Sequence, residues 1–141
     1  VLGLIPVVSS SGPDIDRSAT GRLAAECVWL PSVLLSHGVS WQDDGAATLR
    51  VELPVVGRPT DLALTTAPSG QLKRISLKRW GELNDDQGFG ARDFGGLADD
   101  ELSNQGYTIP SRLRVGWHFG SDRFASEGEF FRCCIETADF K

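Results

Sequence analysis

Two kinds of hydrophobic spacing divide the chain. Between Ser11 and Leu30, the residues Ile15, Ala19, Leu23, Cys27 and Leu30 recur three or four positions apart, which predicts one helix with a single apolar stripe. Ser11 or Gly12 stands at the cap, Pro13 suits the first helical position, and Asp14 and Asp16 complement the dipole of the first turn. Pro31 stops or kinks the helix, and "SVLLS" adds a turn before Gly38. From there the period is two. Val39 and Trp41 alternate before "DDG", and Leu49, Val51 and Leu53 alternate with Arg50 and Glu52. Leu62 and Leu64 continue the pattern, and "APSG" turns the chain into "QLKRISLKRW". "SRLRVGWHF" places Leu113, Val115, Trp117 and Phe119 on one face, and "GEFFRCCIETADF" reads as the last strand.

Turns this closely spaced leave no room for crossover helices, so the sheet is expected to be an antiparallel meander with one face on a core. The fold class is therefore mainly β (α+β): a curved sheet or incomplete barrel, with one N-terminal-side helix packed on its apolar face. Residues 81–106, rich in glycine and acidic side chains, read as a loop at the rim of the sheet, with only a short strand around Leu97 to Leu102. No internal repeat is present.

Composition narrows the function. A length of 141 residues suits one domain, and 40% hydrophobic with 23% charged residues is ordinary for a globular chain. A net charge of −5 argues against a general nucleic-acid binder. No apolar run is long enough for a membrane span, and "VLGLIPVV" lacks the basic flank of a signal peptide. The first residue is valine and the chain has no methionine, which points to the C-terminal part of a longer protein. Strands missing upstream would leave an edge open to pairing with them, with a partner or with a second copy. Three cysteines cannot all pair, adjacent Cys133 and Cys134 point to opposite faces of a strand, and no zinc spacing occurs. Reduced, buried thiols and a cytoplasmic location are the expectation.

Most catalytic motifs are absent. There is no G-x-S-x-G, no P-loop and no H-E-x-x-H, and "GFGARDFGG" neither follows a strand nor opens a helix. His37 and His118 are too few for a histidine-rich metal site, and Asp43-Asp44, Asp85-Asp86 and Asp99-Asp100-Glu101 lack EF-hand spacing. No cofactor and no metal are expected. Two features stand out instead. Arg22, Glu26 and Trp29 form a second helical stripe beside the apolar one, and strict alternation in "KRISLKRW" puts Arg79 on the apolar side with Ile75 and Leu77. A cation and a carboxylate near a core are tolerated when paired, so Glu26 is expected to meet Arg79 rather than lie in a surface pair with Arg22.

Four blocks carry a resemblance: Leu4 to Pro31 with "GRLAAECVWLP", Arg79-Trp80, "GYTIPSRLRVGW" within Gly106 to Gly120, and "EGEFFR" from Glu127 to Arg132. Together they resemble a bacterial family of uncharacterised function. By analogy that family implies the architecture of lipoprotein carriers, a curved incomplete barrel plugged by helices around an apolar cavity. The resulting expectation is a binding module rather than an enzyme, holding an apolar or amphipathic molecule or lipid between sheet and helix. Its ligand-binding residues are Arg22, Glu26, Trp29, Arg79, Tyr107 and Trp117. An enzyme using Glu26 as general acid or base, and a structural or interaction domain, are the alternatives.

Overall fold

In a computed structural model, which describes residues 11–83 and 87–141, helix α1 spans Pro13–Glu26 and precedes seven strands. Short 3-10 segments, Cys27–Trp29 and Pro31–Leu35, follow the helix. The strands are β1 (Ser40–Gly45), β2 (Thr48–Val55), β3 (Arg58–Thr66), β4 (Leu72–Gly81), β5 (Gly90–Asn104), β6 (Tyr107–Trp117) and β7 (Glu129–Cys134). They lie in chain order, each antiparallel to the next, in one sheet. Among the described residues β1 and β7 do not pair, so the sheet stays open rather than closing into a barrel.

Local backbone chemistry fixes this register. The turns Ala46-Ala47, Val56-Gly57 and Gln105-Gly106 all have positive φ at both residues, the two-residue geometry whose twist matches flanking strands. With register set, apolar pairs face one another across the sheet: Val51 with Leu62, Leu64 with Ile75, Leu77 with Phe94, and Ala98 with Leu113. All eight are buried, and Ala24, Ala25 and Val28 of the helical segment close the core over them.

Several expectations are corrected. The buried face of α1 is Thr20, Gly21, Ala24 and Ala25, not the predicted stripe. Leu23 is 46% exposed, because small residues let the helix approach the sheet closely and the leucine fits only outside, and Leu30, beyond the end of the helix, is 56% exposed. The stretch 81–106 is not mainly loop: β5 fills most of it and is the longest strand. Its central glycines suggested a turn, yet side chains there would collide with Phe119 at Gly95 and Val115 at Gly96. Finally, Phe119 leaves the apolar face. His118 has φ 55°, which breaks the alternation after Trp117 and sends Phe119 under Arg74 on the opposite face.

Of the acidic clusters, Asp85-Asp86 lies outside the described residues. Asp99 and Asp100 are exposed on β5 and face Arg114 and Arg112 of β6 at 3.8 and 3.5 Å. The three cysteines are free thiols; Cys27 and Cys133 are half-buried, but Cys134 is exposed, not buried as expected. No helix of the described residues is long and apolar enough to cross a membrane.

Candidate functional site

The helix meets the sheet over a cavity of about 290 Å³. One wall comes from the end of α1 and the turn after it: Arg22, Ala25, Glu26, Val28 and Trp29. The floor is the apolar face of β4 to β6, where Ile75, Arg79, Phe94, Leu113, Val115 and Trp117 project on one side by alternation. Phe130 and Phe131 of β7 complete it. Adjacent strand residues normally point to opposite faces. Here the register slips between Val115 and Gly116: Val115 pairs with Phe131 while Gly116 pairs with Glu129, leaving Phe130 as the extra residue of a bulge.

Arg79 organises the polar side. Its Cγ lies against Gly21, where a Cβ would sit only 2.9 Å away, so the helix can settle on the arginine stem only because that position is glycine. From there the guanidinium donates from Nε to the Ser18 carbonyl at 3.2 Å and from Nη2 to the Ser18 hydroxyl at 3.3 Å. It also lies over the Phe94 ring at 4.7 Å and the Trp117 ring at 4.9 Å from the centroids. Phe94 and Trp117 meet edge to face at 5.0 Å, and both rings approach Phe130. Trp117 in turn covers Gly81, and any side chain there would enter its indole. Trp29 is anchored from the other side, its indole N–H donating to the Pro110 carbonyl at 3.0 Å.

Glu26 does not meet Arg79. The Arg22 guanidinium takes its carboxylate at 2.7 Å, in a pair whose side chains are 69% and 38% exposed. That separation of one helical turn satisfies Glu26 locally, and Arg79 finds neutral acceptors on the same helix one turn earlier. Burial, then the nearby Arg22 charge, lowers the Arg79 pKa from its ordinary value, and the Glu26 charge partly opposes them. Burial, then Glu26, raises the pKa of the Cys27 thiol, which donates to the Leu23 carbonyl at 3.3 Å.

Five predicted residues, Arg22, Glu26, Trp29, Arg79 and Trp117, thus line one cavity. Tyr107 does not join them; it sits at the β5–β6 turn, stacked on Phe140 at 4.6 Å. Trp41 is also elsewhere, on edge strand β1 with its N–H on the Leu34 carbonyl at 3.1 Å. Phe94, Phe130, Phe131 and Ser18 were not anticipated. Phe94 lay in the supposed loop, and a bulge has no clear mark in "EGEFFR".

A larger, open groove of about 950 Å³ lies on the opposite sheet face, floored by Thr65, Ala63, Ser76 and their neighbours. Its Arg50 and Lys78 are held by Asp44 and Asp93, each at 2.6 Å, so these charges are already satisfied on the surface. Among the described residues, no group of three His, Cys, Asp or Glu side chains is placed to hold a metal.

No curated protein and no solved structure matches the chain. A model of the family of unknown function DUF6544 matches residues 1–126, and the chain belongs to that family.

Proposed function

We propose that the protein binds an apolar or amphipathic small molecule in the cavity between α1 and the sheet. The observation that carries this reading is the cavity's lining. Aromatic and aliphatic side chains from α1 and the turn after it, β4, β5, β6 and β7 line about 290 Å³, and the only ionisable groups among the lining residues are Arg22, Glu26 and Arg79. Few convergent polar groups in an apolar recess are the mark of a small-molecule site. The lining has no serine, cysteine or histidine, so Glu26 lacks an obvious nucleophile to activate, and binding is favoured over hydrolysis.

Trp117 is the natural reporter. Titration of a saturated medium-chain amphiphile is expected to shift tryptophan emission and saturate, and Trp117→Phe is expected to lose most of the change while keeping the far-UV circular dichroism of the parent. Linear quenching shared by all four tryptophans, without saturation, would sink the proposal. Native mass spectrometry of protein taken from cells would show whether such a molecule co-purifies.

A further inference from the structure

We infer that the occupant of this cavity is an amphiphile with a single anionic head and a chain of about ten to twelve carbons, the head held by Arg79; this rests on the binding function proposed above. The argument starts from charge. Arg79 is half-buried, yet both of its hydrogen-bond acceptors, the Ser18 carbonyl and hydroxyl, are neutral. Among the described residues no carboxylate stands within ion-pair distance of it, since Glu26 is engaged by Arg22 at 2.7 Å. The lining therefore carries two cations against one carboxylate, one positive charge more than it balances. A partly desolvated cation with neutral partners gains from an anion that arrives with the ligand.

The guanidinium is also pre-set for that role. Phe94 and Trp117, side by side, flank it at 4.7 and 4.9 Å, while Nε and Nη2 are directed at Ser18. Nη1 makes no hydrogen bond among the described residues, and its two N–H groups, with the second N–H of Nη2, are the donors left for a ligand. A cationic head would face both Arg22 and Arg79, and a neutral one would leave the surplus charge as it is. Chain length follows from volume. The cavity is about twice the ~150 Å³ of an engineered apolar cavity that holds benzene, which gives room for a chain of about ten to twelve carbons.

The test titrates dodecanoate, dodecyl phosphate, dodecanol and dodecyltrimethylammonium at pH 8 by calorimetry and tryptophan emission. One of the two anions should bind at least about tenfold (1.4 kcal/mol) more tightly than dodecanol, and which one leads tells a carboxylate from a phosphate head. Arg79→Gln should bring that preference below about threefold. If this variant does not fold, Glu26→Gln serves in its place: removing the competing carboxylate should strengthen binding of the anion severalfold relative to dodecanol. Equal binding of dodecanol, or tighter binding of the cation, overturns the anionic head while the cavity remains a binding site. Unchanged or weaker anion binding relative to dodecanol by Glu26→Gln overturns it as well. Failure of all four probes overturns both the head and the proposed function.

Discussion

Arg79→Ala is the perturbation that most directly tests how the helix is held. The side chain makes two bonds to Ser18 at 3.2 and 3.3 Å, together worth about 1–1.5 kcal/mol at these lengths and this exposure. The two ring contacts add about 0.5 kcal/mol each. Packing of the stem against Gly21 contributes about 0.8 kcal/mol, the value of one buried methylene. Against these stands the relief of a half-buried cation beside Arg22, which solvent screening reduces to on the order of 1 kcal/mol. The balance is a destabilisation of about 2 kcal/mol, or a fall in Tm of roughly 6–8 °C for a domain of this size. Urea denaturation read by far-UV circular dichroism supplies the value, with an unchanged m-value showing that the native state stays compact. Ser18→Ala removes only the weaker hydroxyl acceptor and should cost about 0.5 kcal/mol. Glu26→Ala disturbs only an exposed i,i+4 pair and should cost less than about 0.5 kcal/mol. The Glu26/Arg79 double-mutant cycle should show a coupling below about 0.5 kcal/mol. A loss under about 0.5 kcal/mol for Arg79→Ala would refute the anchoring role. A coupling above about 1.5 kcal/mol would restore the direct ion pair.

Gly81→Ala would drive a methyl into the Trp117 indole, and is expected to destabilise by about 1–3 kcal/mol and alter tryptophan emission; an unperturbed spectrum with parental stability would contradict the packing described. Alkylation with iodoacetamide at pH 8 should modify exposed Cys134 well before Cys27, whose pKa is raised by burial and by Glu26, and site-resolved mass spectrometry would expose the opposite order. Phe130→Ala, at a side chain 60% exposed, should weaken ligand binding severalfold while lowering stability by less than about 1 kcal/mol. Tyr107→Ala should leave ligand binding unchanged, because Tyr107 packs on Phe140 away from the cavity; a lost emission change would place it back in the site.

The period-two stretches with strong turns could be read directly. Leu62 and Leu64, Ile75 and Leu77, Leu113 and Val115 are all buried on one face as alternation requires. The same parity put Arg79 and Trp117 on that face, where they line one cavity with Arg22, Glu26 and Trp29 of the helical segment. What failed was decided by tertiary contact. Leu23 of α1 outranks alanine and glycine on any hydrophobicity count, yet close approach to β4 selected Gly21, Ala24 and Ala25. Glycine in β5 resembled loop punctuation, although Gly95 and Gly96 make room for neighbouring side chains. The Glu26 partner was a choice between a local and a distant arginine. The local one needs no chain closure, and Arg79 was already served by Ser18.

One residue, Arg79, therefore serves both the docking of α1 and the proposed site, and the two roles must be measured separately. A ligand that binds only the native state adds RT ln(1 + [L]/Kd) to stability, so saturation at a hundredfold excess over Kd would contribute about 2.7 kcal/mol. This is of the same size as the expected loss in Arg79→Ala. A thermal shift alone would then confuse a weakened helix anchor with a weakened ligand contact. The ligand-dependent difference within each variant isolates the second quantity, because the anchoring loss is common to its free and bound forms. If Arg79 only anchors the helix, Arg79→Ala should lower the free-protein Tm and leave the ligand-induced increment at the parental size. If it also holds the head, the increment itself should shrink. Glu26→Gln should move the two quantities independently, with little change in the free protein and a larger increment for an anion, since its carboxylate contributes to the field at Arg79 but not to the hydrogen bonds that seat the helix.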